Sequence, residues 1–102
     1  MGDLACGFIS VALNGTDGSI FTQLTAQPCT SVEIINAPAD IDVGAFGVAG
    51  DGDHFVTVPS GASQRFRCVG NSGELAVRRN DKATTATKVR ALWNRGNPEL
   101  QA

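Results

Sequence analysis

The chain has 102 residues, a formal net charge of −2, 42% hydrophobic and 18% charged residues, 12 glycines and 3 cysteines. That length holds one domain around one core, and no apolar run reaches the ~18 residues of a membrane-spanning helix. The start, MGDLACGFIS, lacks the basic and long apolar regions of a signal peptide, so use without export is expected.

Much glycine with little charge suits short strands and tight turns better than helices. Residues 1–5 read as a short flexible start. Cys6 to Leu13 reads as a strand with Ile9, Val11 and Leu13 on one face. Asn14 to Gly18, NGTDG, is a turn, and Ile20 to Leu24 is a second strand, so a hairpin is expected. Gln27-Pro28 interrupts the pattern. Ser31 to Asn36 puts Val32 and Ile34 inward, with Glu33 and Ile35 on the other face. A loop, Ala37 to Asp40, leads to Ile41–Val48, where Val43 and Ala45 share one side and Phe46 and Val48 the other. Its glycines suggest a bulge or a close backbone approach. AGDGDH, residues 49–54, is a further turn.

Phe55 to Arg79, FVTVPSGASQRFRCVGNSGELAVRR, looks like the organising stretch: three strand-like runs joined by the hairpin turns SGAS and GNSG. Phe66 and Cys68 face inward in this reading, as do Leu75 and Val77, while Arg65 and Arg67 face water. A one-residue slip would bury both arginines, so the register is well specified. Pro59 ends a strand, and Gly61 and Gly73 supply the positive φ of tight turns. After a turn at Asn80–Ala83, the last strand runs from Thr85 to Trp93. Thr85, Thr87, Val89, Ala91 and Trp93 share one face and Lys88 and Arg90 the other, with Trp93 the largest buried surface. Residues 94–102 read as an aperiodic arm. About eight short strands at 8–12-residue spacing make the chain all-β: one domain over 1–102, an antiparallel β-sandwich or small barrel.

Charge is lopsided. Residues 1–63 hold seven acids and no Lys or Arg; residues 64–102 hold all eight bases and three acids. Either acidic and basic strands lie side by side and cancel, or the fold carries two opposed patches suited to contact between subunits. Arg65, Arg67, Arg78, Arg79, Lys88 and Arg90 fall on strands and form one basic stripe if those strands are neighbours; they are the candidate partner-contact residues. Nucleic acid is disfavoured as the partner by the acidic balance and the lack of interleaved aromatics.

No catalytic constellation is evident and no enzyme activity, cofactor or metal is expected. His54, the single histidine, sits in a glycine-rich turn beside Asp51 and Asp53. Those aspartates read as turn formers, against the alternative of a calcium site. Cys6, Cys29 and Cys68 leave three options open: free thiols, one disulfide with one free thiol, or a zinc site with His54.

Three motifs carry a resemblance. PCTSVEIIN (28–36) fits P-C-x-S-V-x-I-x-N, VPSGASQRFR (58–67) fits V-P-x-G-x-S-x-x-F-R, and NSGELAVRR (71–79) fits N-S-x-x-L-x-V-R-R. With the closing strand near ALW, the chain over about residues 20–93 resembles small bacteriophage virion structural proteins. The resemblance implies a β-sandwich capsid decoration or cement subunit in the virion, assembled in the host cytoplasm. Its partner would be the major capsid or another virion protein, and the protein would be a homo-oligomer, with a trimer among the options. A tail or fibre component is the nearest variant. The rival expectation is a stand-alone carbohydrate or cell-surface binding module, which an exposed Trp93 would favour.

Overall fold

A computed structural model describes residues 6–45, 55–67 and 70–95. Eight strands follow in order: β1 (Cys6–Ala12), β2 (Thr22–Gln23), β3 (Ser31–Ile35), β4 (Ile41–Ala45), β5 (Phe55–Val58), β6 (Gln64–Arg67), β7 (Leu75–Arg79) and β8 (Lys88–Asn94). They form two antiparallel four-stranded sheets, ordered β1-β8-β3-β6 and β2-β7-β4-β5. The expectations for residues 1–5, Phe46 to His54, Cys68 and the arm beyond Arg95 lie outside the described residues.

The strand order has a simple generator. β4 pairs with β5, β3 with β6, β2 with β7 and β1 with β8. The chain is therefore one long two-stranded ribbon closed at β4–β5, and that ribbon is wrapped into two layers. The result is a jelly roll, the double-sheet form of the sandwich. It corrects two local expectations. β1 and β2 lie in different sheets and make no hairpin. β5, β6 and β7 alternate between sheets, so SGAS and GNSG carry the chain across the sandwich rather than turning it back on itself.

At each crossing the two arms of the ribbon travel together. Where β3 passes to β4 beside β5 passing to β6, Ala37 N–H donates to the Ala62 carbonyl (2.9 Å) and Gly61 N–H to the Ala37 carbonyl (2.8 Å). Gly61 has φ +83°, which suits glycine. Where β2 passes to β3 beside β6 passing to β7, the GNSG stretch forms a short 3-10 turn, Ser72–Glu74. Asn71 Oδ1 accepts from Gly73 N–H at 2.8 Å and from Gln27 N–H at 3.1 Å, and Ser72 Oγ donates to the Thr25 carbonyl. Gly73 serves here for close approach, not for a positive φ: a Cβ would lie 3.2 Å from Ala26 Cβ.

The third crossing packs the NGTDG turn on the turn after β7. A Cβ on Gly18 would run into the Lys82 carbonyl and lie 2.7 Å from that of Ala83. Both obstacles are backbone, so Gly18→Ala should destabilise by ~1–3 kcal/mol. Urea unfolding checks this: the midpoint should fall with the slope unchanged.

The core lies between the sheets. Ile9, Val11, Val32, Ile34, Val89, Ala91 and Trp93 from one layer meet Ile41, Val43, Val58 and Val77 from the other. Period-two alternation set these faces as expected, because each strand exposes every second side chain. Leu24, just past β2, is buried, and its N–H donates to the Leu75 carbonyl at 3.0 Å. Ile20, expected beside it, is exposed, because Ile20 N–H closes a turn on the Asp17 carbonyl and the strand has not yet begun.

Candidate partner-contact surface

The six candidate basic residues do not form one stripe. Arg65 and Arg67 lie on β6 and Lys88 and Arg90 on β8, in the same sheet with β3 between them. Arg78 and Arg79 lie on β7 in the other sheet.

Arg78 is 8% exposed, which corrects its placement on a solvent face. Its Nε donates to Asp42 Oδ2 at 3.0 Å and its Nη1 to the Ser19 carbonyl at 3.0 Å. Asp42 is fully buried and its Oδ1 also accepts from Thr57 Oγ1 (2.8 Å) and Asn80 Nδ2 (2.9 Å). The guanidinium carbon sits 4.3 Å from the Phe21 ring centre and 5.1 Å from that of Phe55. These rings flank the ion pair on the outer side of the sheet. Arg78 does point away from the core, as alternation requires, but that side is not wet here.

Arg79 is also engaged. Its Nε and Nη2 donate to the two oxygens of Asp81 at 2.8 and 2.7 Å, and its Nη1 donates to Thr87 Oγ1 at 3.1 Å. Hydrogen bonding to Arg79 holds the Asp81 carboxyl well below the usual carboxylate range.

The other four cations share the outer face of the β1-β8-β3-β6 sheet. The registers lay out its rows: Phe8, Leu92, Glu33 and Arg65 lie across the sheet, then Ser10, Arg90 and Ile35. Glu33 accompanies Arg65 at 3.6 Å, a partly exposed pair of small energetic weight. Arg67, Lys88 and Arg90 are exposed and pair with no acid among the described residues. Phe8 stands 77% exposed on this face. Beside it a shallow hollow of about 270 Å³ is lined by Phe8, Ile9, Ser10 and Arg90. Leu92 and Ile35 are half-buried neighbours. The face thus combines an exposed aromatic, an apolar surround and flanking cations, the composition of a contact surface.

Phe8 was legible. A strand with Ile9, Val11 and Leu13 inward must send Phe8 outward, and an outward aromatic is an informative residue. Acidic and basic strands lie side by side at two places. Because the ribbon folds the first half of the chain onto the second, Glu33 on β3 meets Arg65 on β6 and Asp42 on β4 meets Arg78 on β7. Of the cations that pair with no acid among the described residues, Arg67, Lys88 and Arg90 lie on one sheet.

Cys6 and Cys29 are free thiols, Cys6 exposed and Cys29 buried. Burial, and then the Glu74 charge, push the Cys29 thiol above its ordinary pKa, so it stays neutral and behaves as a core residue. Among the described residues no three His, Cys, Asp or Glu side chains cluster as a metal site. Trp93 is 5% exposed and packs on Gly7, so it offers no aromatic platform to a sugar. Comparison with protein-family models, with curated proteins and with solved structures returns no match for this chain.

Proposed function

We propose that the chain is a non-enzymatic virion structural protein, a capsid decoration or cement subunit that holds neighbouring shell proteins through the outer face of the β1-β8-β3-β6 sheet. The observation that carries this reading is the occurrence on one sheet face of exposed Phe8 and of Arg67, Lys88 and Arg90, which pair with no acid among the described residues. Apolar anchors with a charged rim supply affinity and orientation to a protein–protein contact. The three virion-type motifs agree with it, spanning β3, β6 and β7. Jelly rolls serve as viral capsid domains, and also as lectins and cupins, so the fold alone does not choose. The lectin-like alternative loses its aromatic platform with Trp93 buried. A tail or fibre component is the same reading at another place in the particle.

The test is particle-based. The chain should be found in purified virions, and particles lacking it should disrupt at lower temperature. Reversing two charges, Arg67→Glu with Arg90→Glu, should weaken rebinding to such particles at least ~10-fold, because like charges facing each other cost several kcal/mol. Wild-type binding should weaken as salt rises. Equal heat stability with and without the chain would count against the cement role.

A further inference from the structure

The four edge strands are not alike. β2 has two residues, β5 has four and runs into Pro59, and β6 has four including Arg65 and Arg67. Shortness, proline and charge are the usual means by which sheet edges are kept from pairing with another chain. β1 has none of these. It is seven residues long, CGFISVA, without charge or proline, and its register with β8 runs unbroken from Cys6↔Asn94 to Ala12↔Lys88.

The hydrogen-bonding phase of that edge follows from one bond. Leu13 N–H donates to the Thr87 carbonyl at 2.9 Å, directly continuing the β1–β8 ladder. Period two then turns the backbone groups of Val11, Ile9 and Gly7 toward β8. Those of Cys6, Phe8, Ser10 and Ala12 turn away, toward the free edge. Nothing among the described residues pairs with them. Their side chains are all exposed on the outer face.

We infer that β1 pairs antiparallel with β1 of a second copy of this chain, about a two-fold axis at Ile9. The strand is complementary to itself in that register. Phe8 of each copy comes opposite Ser10 of the other, with outward backbone groups facing outward backbone groups. The exposed Phe8 ring then enters the hollow that Phe8, Ser10 and Arg90 leave on the neighbour. A small residue, Ser10, stands where the incoming ring needs room. The uncharged strand brings no repulsion into the seam, so a second copy fits it better than a charged segment. The two four-stranded sheets become one continuous sheet and their cationic faces lie side by side. A seven-residue seam buries less than the ~1,200 Å² of a standard interface, so the dimer is a reversible one.

The isolated chain in solution tests this without reference to virions, so the two proposals fail separately. In the proposed register Cys6 faces Ala12 of the other copy at about 5.5 Å between Cα atoms, within disulfide range. Within one copy the same residues are about 20 Å apart and cannot bridge. In a Cys68→Ser background, Ala12→Cys should give a covalent dimer under mild oxidation, and the parent should not. Light scattering should show a dimer whose fraction rises with concentration. Ser10→Pro removes only an N–H that points away from β8, and Phe8→Lys removes the ring. Each should leave the circular dichroism spectrum intact and shift dimerisation at least ~10-fold toward monomer. A monomer at all concentrations up to ~1 mM, or oxidation joining Cys6 to Cys6 instead, would overturn the inference.

Discussion

Replacing Asp42 with alanine should cost ~3–5 kcal/mol of stability, the largest loss expected from any single polar substitution in the described structure. The carboxylate is fully buried, and three donors converge on it: Arg78 Nε, Thr57 Oγ1 and Asn80 Nδ2. Removing it leaves the Arg78 guanidinium, itself 8% exposed, charged against two phenyl rings with the Ser19 carbonyl as its remaining hydrogen-bond partner among the described residues. An unpaired charge in such surroundings is penalised far more than the pair was ever stabilising. Against a total stability on the order of 5–15 kcal/mol, that is a large fraction of what holds the fold. Asp42→Leu combined with Arg78→Met removes both charges and should recover a large part of the loss. Urea denaturation of the two single variants and the double measures the coupling. A cost below ~1 kcal/mol for Asp42→Ala would mean that the carboxylate is hydrated and the network is not a sealed one.

The second large effect concerns Trp93 and Gly7. Trp93→Ala should cost ~3–5 kcal/mol, because the ring fills the core between β1 and β3. Gly7 lies opposite it in the β1–β8 register, and a Cβ there would sit 2.9 Å from Cε2, Cζ2 and Nε1 of the indole. The indole is only 5% exposed, which leaves it little open space to move into. Gly7→Ala should therefore cost ~1–3 kcal/mol in the native background. In the Trp93→Ala background the same methyl enters vacated space and should be nearly neutral or stabilising. Thermal melts of the four proteins give the coupling, and additive costs would show that Gly7 acts through the backbone alone.

The sequence revealed which side of a strand faces the core, and it did so because side-chain direction is a two-residue rule. Ile9 and Val11, Val32 and Ile34, Leu75 and Val77, and Val89, Ala91 and Trp93 all follow it. It did not reveal which strands pair. SGAS and GNSG have the composition of hairpin turns, and composition is all that a short window contains. Their use as crossings depends on partners far away: Ala37 for the first, Thr25 and Gln27 for the second. Arg78 shows the same limit from the other side. Alternation placed it off the core face correctly, but Phe21 and Phe55, from elsewhere in the chain, keep that side from water. Of the candidate surface, Arg65, Arg67, Lys88 and Arg90 were legible as outward cations. That they share one sheet face with Phe8 needed the β1-β8-β3-β6 order.

The nested ribbon also dictates when the molecule can be finished. Only β4–β5 joins neighbours in sequence; each later pair encloses the one before it, until Cys6 meets Asn94. Closing ever larger loops delays the reward for the entropy lost, which places such topologies among the slow folders, in the millisecond-to-second range. A nascent polypeptide still missing β8 has no mate for either β1 or the inner edge of β3. The fold therefore cannot lock until β8 has left the ribosome, and until then two unpaired strand borders stand open to misassembly.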